Sequence, residues 1–305
     1  MTRQTLADRQ TQAGTWGYGK ATILPGRLTG TVTALAATGS AVKRGQAIYR
    51  VDNTPVVLLY GSLPAYRALA TGTKGPDVEQ FEQNLKALGY SGFTVDETYS
   101  TSTAAAVKEW QDDLDLPKTG TVDFGRVVYA SGIVRVDAQK VAVGDAAQPA
   151  TAVLTYTGTS RVVTVDLKVD DARLARKSAK VEVISPDGKK GAGKIAEVKT
   201  IVKPAEGEKP ATTEIEVTVV VDNPKALTGL DRASVTVGFT ASERRDVLTV
   251  PVAALLALAE GGYGVQVVDG TSTRILAVQT GLFADGRVEV TGTGLVEGMV
   301  VGVPA

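Results

Sequence analysis

The chain has 305 residues, in which 33 Lys and Arg balance 33 Asp and Glu, with no His and no Cys. Charge balance and a pI near 6.4 remove the electrostatic basis for a nucleic-acid binder or a polybasic membrane-surface protein. Without imidazole or thiol, Ser-His-Asp and Cys-His catalysis, thiolate chemistry and zinc sites built on those ligands are excluded, leaving carboxylate, Lys, Ser or Tyr chemistry.

A Cys-free chain suits an oxidising exterior. No apolar run reaches the length of about 18 residues that spans a bilayer, and the first fifteen residues (MTRQTLADRQTQAGT) lack the apolar segment of a signal peptide. The chain as given reads as soluble, with any membrane anchor lying outside it. Its length predicts about two domains, or up to about four if the modules are small β units.

Short Val, Ile and Thr-rich stretches predict strands at Thr31–Leu35, Ala47–Val51, Val56–Tyr60, Arg161–Val169, Lys180–Ile184, Thr213–Val221, Ala233–Phe239 and Val265–Val268. The 33 glycines fit a chain rich in tight turns. One segment breaks this rhythm. From Gly75 to Leu88, Val78, Phe81, Leu85 and Leu88 form one helical stripe, with Pro76 at the first helical position, Asp77 and Glu79 at the positive end of the dipole, and Gly89 as terminator. A second helix starts at Ser100 or Thr101, places Thr103, Val107, Trp110 and Leu114 on one face, and stops before Pro117.

The flanks of this two-helix unit resemble each other. Gly30–Leu35, Gly39, Val42, Gly45 and Ile48 on one side, and Gly132–Val136, Val141, Gly144, Asp145, Val153 and Leu154 on the other, read as two halves too small to bury a core alone. They are expected to close onto each other as one β-sandwich, with the helical module projecting outward as a fingertip. Further along, Lys203–Pro210 reads as an exposed hairpin tip. Asp170–Lys180 (DDARLARKSAK) reads as a solvated connecting turn anchored by Leu174, in preference to a basic patch. Val250–Leu258 reads as a buried strand and short turn. Gly261–Gly264 lacks the following Lys and Ser/Thr of a phosphate cradle and reads as a turn.

The segment Gly30–Val51 (GTVTALAATGSAVKRGQAIYRV) resembles the first half of the lipoyl-like domain of periplasmic adaptor subunits, also called membrane fusion proteins. Residues 159 to 305 are similar to the β-barrel and membrane-proximal domains that follow in that family, through Val247–Leu255, Gly262–Val268 and Arg287–Val301. The helical segment resembles a small peptidoglycan-binding domain. Its marks are Asp77-Val78, Leu88-Gly89-Tyr90, Asp96 with Tyr99, Thr103 with Ala106-Val107 and Trp110-Gln111, and Thr119-Gly120 with Val122. Two departures stand out. The Asp-Gly-aromatic-Gly turn reads Asp96-Glu97-Thr98-Tyr99-Ser100 without glycine, and Ser178 occupies a barrel turn where the family places Gly.

The resemblance implies a mainly β multidomain fold. Its parts are a discontinuous lipoyl-like sandwich (22–62 and 124–158), a peptidoglycan-binding-like helical insert (63–123), a β-barrel (159–241), and a membrane-proximal domain built from residues 1–21 and 242–305. In adaptors of two-membrane bacteria a long helical hairpin occupies the insertion point, so the likeness is to adaptor-like proteins of Gram-positive bacteria associated with ABC-type exporters. Implied partners are an ABC-type permease, peptidoglycan and further copies of the chain, with no nucleic acid. The implied location is extracytoplasmic, facing the cell wall and membrane-anchored by a segment absent from this chain. No catalytic residue, cofactor or metal is expected.

For the insert, Tyr90, Phe93, Asp96 and Tyr99 are expected to line a shallow peptidoglycan-binding groove, the aromatics stacking on sugar or peptide and Asp96 accepting hydrogen bonds. Equally, Tyr90, Tyr99 and Trp110 read as core aromatics of a small domain, and Gln111 as satisfying buried backbone groups. Two other classes of function compete. A lipoyl or biotinyl carrier needs a lysine at a hairpin tip flanked by Asp or Met, which neither Lys43 nor Lys140 has. A wall-targeted glycan hydrolase needs paired carboxylates; Asp112-Asp113 and Asp170-Asp171 are pairs, but they sit in polar segments without framing aromatics.

Overall fold

The computed structural model describes residues 1–203, 205, 210–224, 232–270 and 272–303. In chain order its elements are β1 (Thr2–Gly17), β2 (Thr22–Pro25), β3 (Gly30–Leu35), β4 (Ala41–Val42), β5 (Ala47–Val51), β6 (Thr54–Tyr60), α1 (Pro76–Leu88), α2 (Thr101–Asp113), β7 (Val127–Ala130), β8 (Val134–Gln139), β9 (Ala146–Ala147) and β10 (Ala152–Thr157). There follow β11 (Val162–Lys168), β12 (Lys180–Ile184), β13 (Lys190–Lys203), β14 (Thr212–Val221), β15 (Ala233–Pro251), β16 (Leu255–Ala257), β17 (Tyr263–Asp269), β18 (Ser272–Ala284), β19 (Arg287–Thr291) and β20 (Val300–Val301). The chain forms two compact units, Tyr18–Ser160 and Met1–Gly17 with Arg161–Ala305.

In the first unit, strands order as β2-β10-β8-β4 in one sheet and β7-β6-β5-β3-β9 in the other. Both sheets mix strands from the two sides of the helical segment, through the pairs β2–β10, β4–β8, β3–β9 and β6–β7. Neither half supplies a complete sheet, so the core closes only when they interleave. That core gathers Leu24, Val32, Val42, Ile48, Val51, Val56, Leu58, Val134, Val136, Val153 and Leu154.

The helices do not stand away from this sandwich. Within β6, Val56 and Leu58 point into the sandwich core while Val57 and Leu59 join a second core with Val78, Phe81, Leu85, Tyr99, Val107, Trp110 and Val127. Four consecutive apolar residues thus have both faces covered, the pattern of a strand buried on two sides. β6 and β7 pair in parallel, Val57 with Val127 through Tyr60 with Ala130. Parallel neighbours need a crossover connection over a sheet face, and residues 61–126 supply it. This corrects the fingertip expectation: the helical module is the crossover and packs on the outer face of the sandwich.

Polar side chains fix the same seam. Asn84 of α1 accepts from the Tyr60 amide (2.8 Å) and donates to the Tyr60 carbonyl (2.7 Å). Gln80 bonds in the same two-way manner to the Leu63 backbone, at 3.0 and 2.8 Å. These two residues satisfy main-chain groups just where the sheet ends. Leu88 reaches back so closely to Gly45, whose φ is +82°, that a Cβ there would lie 2.7 Å from its Cδ2.

In the second unit, β1, β11, β14, β13, β12 and β15 pair in sequence, and β15 pairs again with β1, so six strands close a barrel. Its core holds Trp16, Val163, Val165, Leu167, Leu174, Val183, Ile195, Val217, Val219, Val237 and Phe239. β15 continues past the barrel to pair with β19, and β19, β18, β17, β16 and β20 complete a further β layer over Met1, Val250, Val265, Val288 and Val290. The expectation that residues 1–21 serve the C-terminal domain fits only the start of β1. Gly298 donates to the Met1 carbonyl, but Gln10 to Trp16 pair with the barrel part of β15 and Trp16 is a barrel core residue. The predicted hairpin tip, Lys203–Pro210, lies mostly outside the described residues; its flanks Lys203 and Thr212 are cross-strand partners.

Candidate functional site

The helical insert is organised by its caps. Pro76 opens α1, and Gly89 closes it in the left-handed conformation (φ +104°) with its amide near the Leu85 and Lys86 carbonyls. Ser100 and Thr103 form a reciprocal capping box at the start of α2. Arg67 grips Asp77 with two nitrogens, at 2.7 and 2.8 Å, and donates to the Lys74 carbonyl at 2.7 Å. The guanidinium holds the Asp77 carboxyl below the usual carboxylate range, against the opposing effect of burial.

Between the helices Phe81 stacks on Tyr99 (centroids 6.4 Å apart) and meets Trp110 edge-on at 5.8 Å. Tyr99 is fully buried and its hydroxyl donates to the Gly120 carbonyl at 2.8 Å. It is therefore a core aromatic that offers no face to a ligand, which removes it from the groove proposed from sequence. The main chain holds it in the core: Thr98 bridges antiparallel to Lys74, the Tyr99 amide donates to the Thr73 carbonyl and the Gly72 amide to the Tyr99 carbonyl, both at 2.9 Å. Trp110 is likewise a core residue, 4% exposed. Gln111 satisfies backbone groups, donating to the Thr121 carbonyl (2.8 Å) and accepting from the Gly120 amide (2.9 Å).

The other three candidates keep some exposure. Tyr90 packs its ring on the edge of the insert core and donates its hydroxyl to Asp113 at 2.6 Å. Burial first, and that carboxylate second, push the phenol above its ordinary pKa. Phe93 is half-buried on the same core edge. Asp96 is exposed, and one carboxylate oxygen accepts from the Thr98 amide at 2.7 Å, an Asx turn that leaves the other oxygen to solvent.

Sequence reasoning missed Glu82. This carboxylate is wholly buried, accepting from the Thr103 hydroxyl (2.6 Å) and the Asp96 amide (2.9 Å). It ties the Asp96 turn to the start of α2, and burial raises its pKa despite those two bonds. A polar residue beside Phe81 on the apolar stripe was the available signal. Among the described residues no three His, Cys, Asp or Glu side chains gather to hold a metal, and no helix is long and apolar enough to cross a membrane.

The interleaved sandwich, closed barrel and terminal β layer form a fold that solved structures share. Among solved structures the chain is similar to MacA from Actinobacillus actinomycetemcomitans, with a TM-score of 0.59 and 14% identity over 100% of this chain and 98% of that one. It is also similar to a MacA-MexA chimera carrying the Pseudomonas aeruginosa MexA α-hairpin domain, with a TM-score of 0.53, 17% identity, and 98% and 97% of the two chains covered. At such identities the likeness is one of fold. The membrane fusion protein Spr0693 from Streptococcus pneumoniae R6 aligns over 77% of this chain and 99% of its own at 13% identity, with a TM-score of 0.37, below the level at which a shared fold is argued. Residues 74–125 match the family model described as a putative peptidoglycan binding domain. Comparison with curated proteins gives no significant match.

Proposed function

We propose that the protein is a non-enzymatic, extracytoplasmic adaptor of an ABC-type efflux or export system, tethering the transporter to peptidoglycan through its helical crossover. The observation that supports this most is a combination. An adaptor fold that aligns end to end with MacA carries, as the crossover of its own sandwich, a segment matching a peptidoglycan-binding family. The barrel and terminal layer would engage the permease and further copies of the chain, and the insert would face the wall.

The wall-facing surface in this reading is the core edge carrying Tyr90, Phe93 and Asp96, where half-buried rings can stack on sugar or peptide and a free carboxylate oxygen can accept hydrogen bonds. The test is co-sedimentation of the full chain with purified sacculi. Wild-type protein is expected to pellet without releasing soluble muropeptides, and a Phe93→Ala, Asp96→Asn double variant to stay largely in the supernatant. Wild-type protein remaining in solution would defeat the tether; muropeptide release would defeat the non-enzymatic reading.

A further inference from the structure

The segment read from sequence as a solvated turn, Asp170–Lys180, is divided by the fold. Leu174 is buried in the barrel core, and the residues before it turn toward β1, with Asp171 accepting from Gln12 and Arg173 pairing with Asp8 at 3.3 Å. Those after it enter a different environment. Arg176, Lys177, Ser178 and Lys180 line an open groove of about 630 Å³, whose far wall is the Thr240–Arg244 stretch of β15.

Four cations line this groove, Arg176, Lys177, Lys180 and Arg244, against one carboxylate, Glu243. In a chain whose formal charge is zero, this is a local excess, and nearby acids do not relieve it. Glu243 is engaged by Arg245, Glu182 by Lys190 at 3.2 Å, and Asp8 by Arg173. Arg176, Lys177 and Lys180 have no carboxylate partner among the described residues. Arg244 comes only within 3.9 Å of Glu289. Lys180 moreover sits directly across the β12–β13 ladder from Lys194, a like-charge pairing that costs stability unless an anion intervenes.

Part of this open lining is held in place. Arg176 is held by two bonds of 3.0 Å from one guanidinium nitrogen to the Thr240 and Ala241 carbonyls, which leaves its other nitrogens to donate elsewhere. Ser178 keeps a left-handed backbone (φ +67°) that glycine would adopt without cost; what serine adds is a hydroxyl in the lining. Apart from small alanines, the lining is Arg, Lys, Ser, Thr and one Glu, without the aromatic or large aliphatic walls of an apolar-ligand site.

From this we propose that the groove between the Arg176–Lys180 turn and the middle of β15 binds phosphate groups of a soluble molecule. A phosphate offers two charges and several acceptor oxygens to converging guanidinium, ammonium and hydroxyl donors, a match that a single carboxylate gives less well. A soluble molecule is specified because the excess is local, four cations in one open depression of a chain with zero formal charge, whereas an anionic bilayer is met by a broad polybasic face.

The test uses the full chain and titrates inorganic pyrophosphate by calorimetry, at low and at raised ionic strength. Saturable binding is expected, weakening as salt screens the charges, and falling at least tenfold in a Lys177→Gln, Lys180→Gln double variant. Both lysines are exposed, so the fold is kept, which an unchanged denaturation midpoint would verify. A charge-matched Lys86→Gln, Lys108→Gln variant in the helical insert should bind as wild type does. No pyrophosphate binding, or equal loss in both double variants, overturns the proposal. So does equally tight binding of polyglutamate, which would make the ligand an acidic peptide, and so does tighter binding to anionic phospholipid vesicles than to pyrophosphate, which would make it a lipid surface.

Discussion

Leu58 and Leu59 are adjacent in β6, both 0% exposed, yet they belong to different cores, the sandwich interior and the insert interface. If the helical module is a docked crossover, Leu59→Ala should destabilise the unit as much as Leu58→Ala. Each removes a buried leucine, at about 2–5 kcal/mol depending on how far the site collapses. A loss of about 3 kcal/mol in a cooperative unit of this size corresponds to roughly 6–12 °C in Tm. The protein supplies its own reporters. Its two tryptophans are Trp110, in the insert core, and Trp16, in the barrel core of the other unit. In a Trp16→Phe background, the fluorescence of Trp110 follows only the insert. Leu58→Ala, which touches only the sandwich, should shift the Trp110 transition as far as Leu59→Ala does, because shared strands β6 and β7 couple the two cores. The reasoning is refuted if Leu59→Ala stays within about 0.5 kcal/mol of the parent, the range of an exposed surface position, or if Leu58→Ala leaves the Trp110 transition unmoved.

Other expected outcomes follow from single contacts. The pKa of Glu82 is raised in the folded state, so its favourable contribution is present below the ordinary carboxylate range and is lost as pH rises through the raised value. Glu82→Gln keeps an acceptor for the Asp96 amide and turns its own amide to the Thr103 oxygen, so its stability relative to wild type should increase from acid to neutral pH. A pH-independent difference in denaturation midpoint would contradict this. Glu82→Ala removes the shared acceptor of the Thr103 hydroxyl and the Asp96 amide and should cost about 1–3 kcal/mol. Tyr99→Phe strands the Gly120 carbonyl and should lower stability by about 1 kcal/mol, while sedimentation with sacculi stays at the wild-type level. Gly45→Ala forces a left-handed alanine against Leu88 and should cost about 1 kcal/mol or more, read on the Trp110 transition.

Where local patterning decides structure, the sequence was readable. Pro76 and Gly89 mark both ends of the first helix, and Ser100 the start of the second, within a residue of where they lie, although the second ends at Asp113, short of Pro117; most of the Val-rich strands fall close to their observed ranges. Where pairing partners are remote, it was not. β15 was expected to end at Phe239, yet it runs on through Ala241–Asp246, a polar and charged stretch without alternation, because β1 pairs alongside it. That stretch lies between the barrel core and the terminal core, so neither face needs apolar residues. The candidate site was half legible for a similar reason. An aromatic at a turn reads the same from sequence whether it faces solvent or core, and only the contact of Tyr99 with Phe81 and Gly120 separates those cases.

The crossover geometry bears on how the helical module can be tested for binding to peptidoglycan. Since β6 and β7 run parallel, a deletion of residues 61–126 cannot be closed by a tight turn. A linker must travel back along about four residues of strand, roughly 13 Å, and would leave Val57, Leu59 and Val127 of the outer sheet face exposed to solvent. Such a chain should aggregate or unfold whether or not the module binds peptidoglycan, so its failure to sediment would say nothing about binding. Substitutions at Phe93 and Asp96 leave the seam of Asn84, Gln80 and Leu59 in place, and a loss of sacculus binding there, at unchanged Trp110 stability, can be assigned to the surface alone.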